Sequence, residues 1–172
     1  MTGGGHVDYD RLFDRVYPAL FRYLHRMTGD ADAAEDAAQE AFVRLTEHSL
    51  PEDEARPWLF TVATNLIRDR ARKASRHRRL EPHVPTPAAP TGPEVSAERK
   101  ERIAMVREAL GELPERDQAM LLMREEGFRY AEIAEAVDVA PGSVGTLLAR
   151  AARKFEETYT ALAAGEAIHE TP

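Results

Sequence analysis

The chain has 172 residues, 43% hydrophobic and 31% charged with 7% aromatic, the composition of a soluble globular protein built from helices rather than of a β-sandwich. It has no cysteine, which removes disulfide frameworks, thiol nucleophiles and cysteine zinc sites, and its net charge of −7 argues against a protein that coats nucleic acid indiscriminately. No apolar run approaches the roughly 20 residues that span a bilayer; the longest, Trp58 to Ile67, is broken by Thr61, Thr64 and Asn65.

The start, Met1-Thr-Gly-Gly-Gly-His6, lacks the basic and apolar blocks of a signal peptide, so a cytoplasmic chain is expected. Leu12, Phe13, Val16, Leu20, Phe21 and Leu24 then recur at helical spacing, with Pro18 predicted to kink or restart the helix. Gly29 suits a C-terminal cap, and Asp32 with Glu35 reads as an N-terminal capping box. The next helix turns Ala34, Ala37, Ala38, Ala41, Phe42 and Leu45 inward and shows Asp36, Gln39, Glu40 and Arg44 on its other face. After a polar turn from His48 to Ala55, Pro57 is expected to start a third helix with Trp58, Leu59, Val62, Ala63, Leu66 and Ile67 apolar.

That helix runs into the segment 68–79, which holds seven Lys and Arg side chains against one acid. The acids collect elsewhere, at Asp30 to Glu40, Glu52 to Glu54 and Glu98 to Glu126. Such polarity suggests a polyanion partner on one face, the plainer reading being a solvated helix end. Residues 80–97 carry five of the eleven prolines and read as an extended linker between two helical domains, 1–79 and 98–172. In the second, Ile103, Val106, Leu110 and Leu113 form one stripe; Pro114 fits the first position of a helix with Ala119, Leu122 and Met123 inward, closed by Gly127. No strand alternation appears, so the expected fold is all-α.

From Tyr130 onward the pattern suits a helix-turn-helix. Ile133 and Val137 face inward, Ala134 is small where the second helix crosses, Val139 plugs the turn, and Val144, Leu147 and Leu148 anchor the second helix. Asp138 stands where the turn favours glycine, and Asp is among the few residues that tolerate a left-handed backbone. A wheel centred on Val144, Leu148, Ala151 and Phe155 leaves Gly142, Thr146, Ala149, Arg150 and Arg153 outermost. Ser143, Thr146 and Arg150 are placed for base edges, Arg153 and Lys154 for phosphates.

Together the two blocks resemble the extracytoplasmic-function group of bacterial RNA polymerase sigma factors. The resemblance rests on Ala34-Glu-Asp-Ala-Ala-Gln-Glu-Ala-Phe-Val-Arg-Leu45 and Pro57-Trp-Leu-Phe-Thr-Val-Ala-Thr-Asn-Leu-Ile-Arg-Asp-Arg70. It continues through Leu110-Gly-Glu-Leu-Pro114, Tyr130-Ala-Glu-Ile-Ala134, Gly142-Ser-Val144 and Leu148-Ala-Arg-Ala151. It implies a two-domain initiation factor whose Asp36, Gln39, Glu40 and Arg44 dock on the β′ clamp of the polymerase core, with β as a further contact. It also implies that the loop after His48 and the helix from Trp58 to Arg70 melt and read the −10 element, that the helix-turn-helix reads the −35 element, and that the linker threads toward the active-site channel. Control by an anti-sigma factor is part of the same expectation.

For the −10 element the residues suit the chemistry: Trp58 offers stacking, Asn65 base-edge hydrogen bonds, and Arg68, Arg72 and Lys73 charge. For the Trp58 ring itself a place in the core is the better reading, which leaves Asn65 and Arg68 as the stronger candidates for DNA. One departure is that Gly145-Thr-Leu147 lacks the Lys and Arg that relatives usually carry there. It leaves open a sigma-like partner-switching protein that binds an anti-sigma factor without engaging promoters. An enzyme is not expected: the six histidines form no metal-spaced pair and no Gly-rich phosphate loop or nucleophile motif is present, so neither metal nor cofactor is called for.

Overall fold

The computed structural model describes residues 8–78 and 95–165, and every regular element among them is helical. The first unit is a bundle of α1 (Tyr9–Thr28), α2 (Ala31–Leu45) and α3 (Glu52–Arg78). The second comprises α4 (Ala97–Gly111), α5 (Glu115–Glu125), α6 (Tyr130–Val137) and α7 (Val144–Ala163), with a 3-10 turn at Pro141–Ser143 before α7. The expected linker 80–97 lies outside the described residues except for its last three positions; Ser96 caps α4, and Ala97 is already helical. The tail beyond Tyr159 extends α7 to Ala163, and residues 166–172 lie outside the description.

Helix starts differ in detail from the sequence expectation. Pro18 lies inside α1, which runs on from Tyr9 to Thr28 rather than restarting there. Its missing N–H frees the Asp14 carbonyl, and both residues face solvent, where water can take the place of the lost donor. The α2 cap is Asp30 rather than Asp32: its carboxylate accepts from the Asp32 and Ala33 amides at 2.9 and 3.1 Å. The third helix begins one and a half turns before Pro57. Pro51 supplies the first accepting carbonyl, for the Glu54 and Ala55 amides, and Glu52, Asp53 and Glu54 place negative charge on the positive helix end. Pro114 likewise occupies the cap position, its carbonyl accepting from Asp117 and Gln118 at 2.9 and 3.0 Å.

The alanine stripe of α2 explains the tightness of the first unit. Ala34, Ala37, Ala38 and Ala41 are fully buried, and their short side chains let the α2 backbone approach α1 and α3 closely. Phe42 fills the end of the bundle against Tyr9 and Phe13. One buried polar pair crosses the core: Thr64 donates to the Phe60 carbonyl at 2.6 Å and its oxygen lies 2.7 Å from the Tyr23 hydroxyl, which therefore donates to it. Burial pushes the Tyr23 phenol far up, so it stays neutral.

The two units pack on each other. One continuous cluster of buried side chains runs from Leu12 of α1 to Leu148 of α7. At the junction the Phe60 and Phe128 rings lie 4.6 Å apart, centre to centre, and both are fully buried. Arg56 donates to the Glu126 carbonyl at 2.8 Å with its guanidinium 4.1 Å from the Phe128 ring centre. Arg22 grips the Glu126 carboxylate with two nitrogens at 3.2 and 3.1 Å, and Arg26 pairs with Glu125 at 3.0 Å. Sequence periodicity marked both units but contained no sign of this contact.

Candidate nucleic-acid and partner-binding faces

On α2, burying the alanine stripe forces the opposite side outward. Asp36, Gln39 and Arg44 are exposed and Glu40 is partly so. The row is internally bonded: Gln39 donates to Glu35 at 3.1 Å, and Arg44 donates to Glu40 at 2.8 Å. Asp36 faces Arg70 of α3 at 3.8 Å, and Arg70 also donates to the Ala33 carbonyl at 3.3 Å. One cation of the basic segment thus ties α3 to the start of α2, a role that a count of charges did not reveal. The result is a short rigid patch of carboxylate, amide and guanidinium groups.

On α3, Trp58, Asn65, Arg68 and Arg72 follow one another at intervals of seven, three and four residues and so share a stripe, with Lys73 beside it. The Trp58 ring is half-buried on the core, which matches the plainer reading of it as a packing residue. Its remaining face meets the His48 ring at 4.9 Å, and His48 Nδ1 lies 2.9 Å from the Arg44 carbonyl oxygen. The turn between α2 and α3 is therefore pinned at both ends. Asn65, Arg72 and Lys73 are exposed, Arg68 is half-buried, and Arg72 has a loose partner in Asp69 at 3.9 Å. The helix keeps its backbone regular through Arg78, holding these cations in fixed register.

The helix-turn-helix has the expected geometry. Ile133, Ala134 and Val137 are buried, Val139 packs in the turn, and Asp138 adopts φ 56°, ψ 56°, the left-handed conformation anticipated for it. Glu132 closes the start of α6 by accepting from the Arg129 amide at 2.8 Å. Val144, Leu148 and Ala151 turn inward, leaving Gly142, Ser143, Thr146, Ala149, Arg150, Arg153 and Lys154 exposed. Arg150, Arg153 and Lys154 make no side-chain ion pair with any other described residue, in contrast to the bonded row on α2. At the point of departure from relatives, Leu147 is half-buried on the core, whereas a Cβ on Gly145 would meet only the Tyr130 ring at 3.5 Å, an ordinary contact.

A groove of about 1020 Å³ opens between α4, α5 and α7. Ile103, Val106, Leu110 and Phe155 line it, with Arg99 and Arg102 beside them. The apolar stripe of α4 was legible as a core face; that it is only half covered was not.

Comparison with known proteins follows the same division. The family description Sigma-70 region 2 matches residues 12–77, and Sigma-70, region 4 matches residues 103–155. The ECF RNA polymerase sigma factor SigL of Mycobacterium tuberculosis is 36% identical over 161 residues, covering 88% of each chain. RNA polymerase sigma factor CarQ of Myxococcus xanthus is 29% identical over 90% of each, and ECF RNA polymerase sigma factor SigM of Bacillus subtilis is 25% identical over 87% of this chain and 94% of its own. In fold, the chain is similar to the sigma factor RpoE solved in complex with the anti-sigma factor NepR from Bartonella quintana. The TM-score is 0.70 at 20% identity, over 89% of this chain and 97% of that one.

Proposed function

The chain belongs to the extracytoplasmic-function group of RNA polymerase sigma factors, and from that premise we propose that it binds core polymerase through α2 and directs it to promoters through α3 and α7. The observation that carries this reading is the coexistence, in one chain, of a rigid acidic and amide face on α2 with two separate cationic faces, on α3 and α7. A protein that only bound an anti-sigma factor would have no use for the second and third.

The residue roles divide by chemistry. Asp36, Gln39, Glu40 and Arg44 form the contact for the β′ clamp. Asn65, Arg68, Arg72 and Lys73 take the −10 strand, with Trp58 at the edge of the same stripe, its ring committed in part to the core. Ser143, Thr146 and Arg150 face the −35 bases, and Arg153 and Lys154 their phosphates. The groove beside α4 gives the second unit its own protein-binding surface, suited to an apolar segment of the polymerase β subunit. The function assigned is binding and positioning, carried out in the cytoplasm where the polymerase is. An anti-sigma factor is the proposed control, consistent with membership of the group.

Run-off transcription with purified core polymerase on the promoter of this protein's own operon tests the assignment. A defined transcript that requires the protein is expected. Transcription no higher than with core alone, despite a stable complex, would instead favour the partner-switching role.

A further inference from the structure

Three large apolar side chains are exposed among the described residues: Tyr9, Val43 and Tyr130. Tyr9 is accounted for by its hydrogen bond to the Phe42 carbonyl at 3.1 Å and its edge contact with the Phe42 ring. Val43 lies on α2 one turn beyond Gln39 and Glu40, in the row proposed for polymerase. Tyr130 has no such account. It is the first residue of α6 and 44% exposed, and its hydroxyl makes no hydrogen bond to another described residue. Capping does not explain it either, because Glu132 closes the start of α6. Its surroundings are specific. A Cβ added to Gly145 would sit 3.5 Å from Tyr130 Cε2. Gly145 belongs to the first turn of α7, and in a helix-turn-helix that turn enters the major groove while the first helix crosses the backbone. Arg124 holds the ring from its own unit: its guanidinium is 5.2 Å from the ring centre, and its Nη1 donates to the Phe128 carbonyl at 3.1 Å. Tyr130 is thus an anchored, exposed aromatic against the recognition helix, beside the residue that precedes Thr146.

We propose that Tyr130 is a specificity residue for the −35 element, its ring packing against the C5-methyl group of a thymine, and that Gly145 is the glycine that leaves this ring uncovered. The inference rests on the promoter-reading function proposed above and adds to it a determinant that lies outside the recognition helix. The thymine methyl is the apolar mark that a base pair shows in the major groove, and it is read by apolar contact rather than by a hydrogen bond. The exposed side chains of the first turn of α7 are small, Ser143 and Thr146, so the Tyr130 ring is the large apolar surface offered beside them. A lysine or arginine at 145 would lie across that ring. Its charge would attract the phosphates of any sequence, whereas the bare ring distinguishes a thymine from the other bases. The missing cation at Gly145 is therefore an exchange of one kind of contact for another. The phenol hydroxyl has no part in the discrimination, which belongs to the ring.

The methyl can be deleted from the DNA and the ring from the protein, so the contact is tested from both sides. The measurement is binding of holoenzyme to the promoter of this protein's own operon, with each thymine of the −35 element, on either strand, replaced in turn by deoxyuridine. At one position the affinity of the unaltered protein should fall about fourfold, roughly what burying one methyl contributes. Tyr130→Ala should bind the parent duplex more weakly by a similar factor and respond no further to deoxyuridine there, while Tyr130→Phe should behave as the unaltered protein does. Gly145→Lys should raise affinity for every duplex and erase most of the difference between thymine and deoxyuridine. Neither position is buried and Gly145 has room for a side chain, so the helical circular dichroism of all three variants should be unchanged. The proposal is overturned if no thymine is sensitive to loss of its methyl, or if Tyr130→Ala keeps the full sensitivity. It is overturned equally if Tyr130→Phe weakens every duplex alike, which would mark a hydroxyl contact to phosphate. Failure of the holoenzyme to bind any of these duplexes better than core polymerase alone would end the promoter-reading function itself, and the thymine contact with it.

Discussion

Single side chains settle two questions of different kinds. In the core, Thr64 donates to the Phe60 carbonyl and accepts from Tyr23, so the two partners are not equivalent. Tyr23→Phe removes a donor and leaves Thr64 bonded, at an expected cost of about 1 kcal/mol. Thr64→Val strands the buried phenol and should cost about 1–3 kcal/mol more than a matched deletion would. Urea denaturation of both variants checks the order, and a Tyr23→Phe loss exceeding that of Thr64→Val would reverse the assignment of donor and acceptor. On the surface, Arg150 is exposed one helical turn beyond Thr146 and has no ion-pair partner among the described residues. It can reach a base edge or a flanking phosphate. The phosphate is favoured, because phosphate and sugar take at least half of protein–DNA hydrogen bonds. Arg150→Ala should then weaken holoenzyme binding to every −35 variant alike and lower the salt slope by about one. A loss of about 1–3 kcal/mol confined to one base position would instead mark a base contact. Gly145 and Leu147 matter to the same readout. With no cation at either, the proposed −35 discrimination would lean on Ser143, Thr146, Arg150 and the shape of the duplex, while Leu147 is half-buried against the core.

Whole elements carry the next set of expectations. The bonds of the α2 face, within itself and to Arg70, are exposed ones that contribute little to stability, so reversing its charge should disturb binding far more than folding. Asp36→Arg with Glu40→Arg is expected to abolish co-purification with core polymerase while thermal stability moves little, since surface changes usually stay within about 0.5 kcal/mol. Undiminished co-purification would remove α2 as the dock. For α3, four phosphate contacts from its basic end would add roughly −3 to −4 to the slope of log affinity against log salt. Arg72→Ala with Lys73→Ala should flatten that slope in the holoenzyme–promoter complex by about 1.5–2; no change would return the segment to a solvated helix end. These elements were largely legible in sequence because apolar spacing alone decides which side of a helix is buried. The helix-turn-helix was read down to the left-handed Asp138, since both its spacing and its turn chemistry are local. Helix starts were misplaced wherever proline had two local solutions. Pro57 and Pro114 each fit a first-turn rule, yet α3 starts at Glu52 and α5 takes Pro114 as its cap. The junction of the units was not legible at all. Periodicity labels Phe60 and Phe128 as apolar but cannot say that each is the other's partner across 68 positions of chain.

At the scale of the molecule, that junction joins the two family units through one continuous buried cluster. Phe60 packs on Tyr23 within its own unit at 5.1 Å and on Phe128 of the other at 4.6 Å. Phe60→Ala should therefore cost about 3–5 kcal/mol and, in calorimetry, split a single unfolding transition into two. A single transition shifted down without splitting would show that the units are joined mainly by the arginine contacts. The Arg22–Glu126 pair, its arginine half exposed, has a further consequence when it is considered as an equilibrium. Such pairs return little net free energy, because solvent screens the attraction and desolvation offsets part of the rest. A packed arrangement favoured by about 3 kcal/mol would leave roughly one molecule in a hundred with its two units apart.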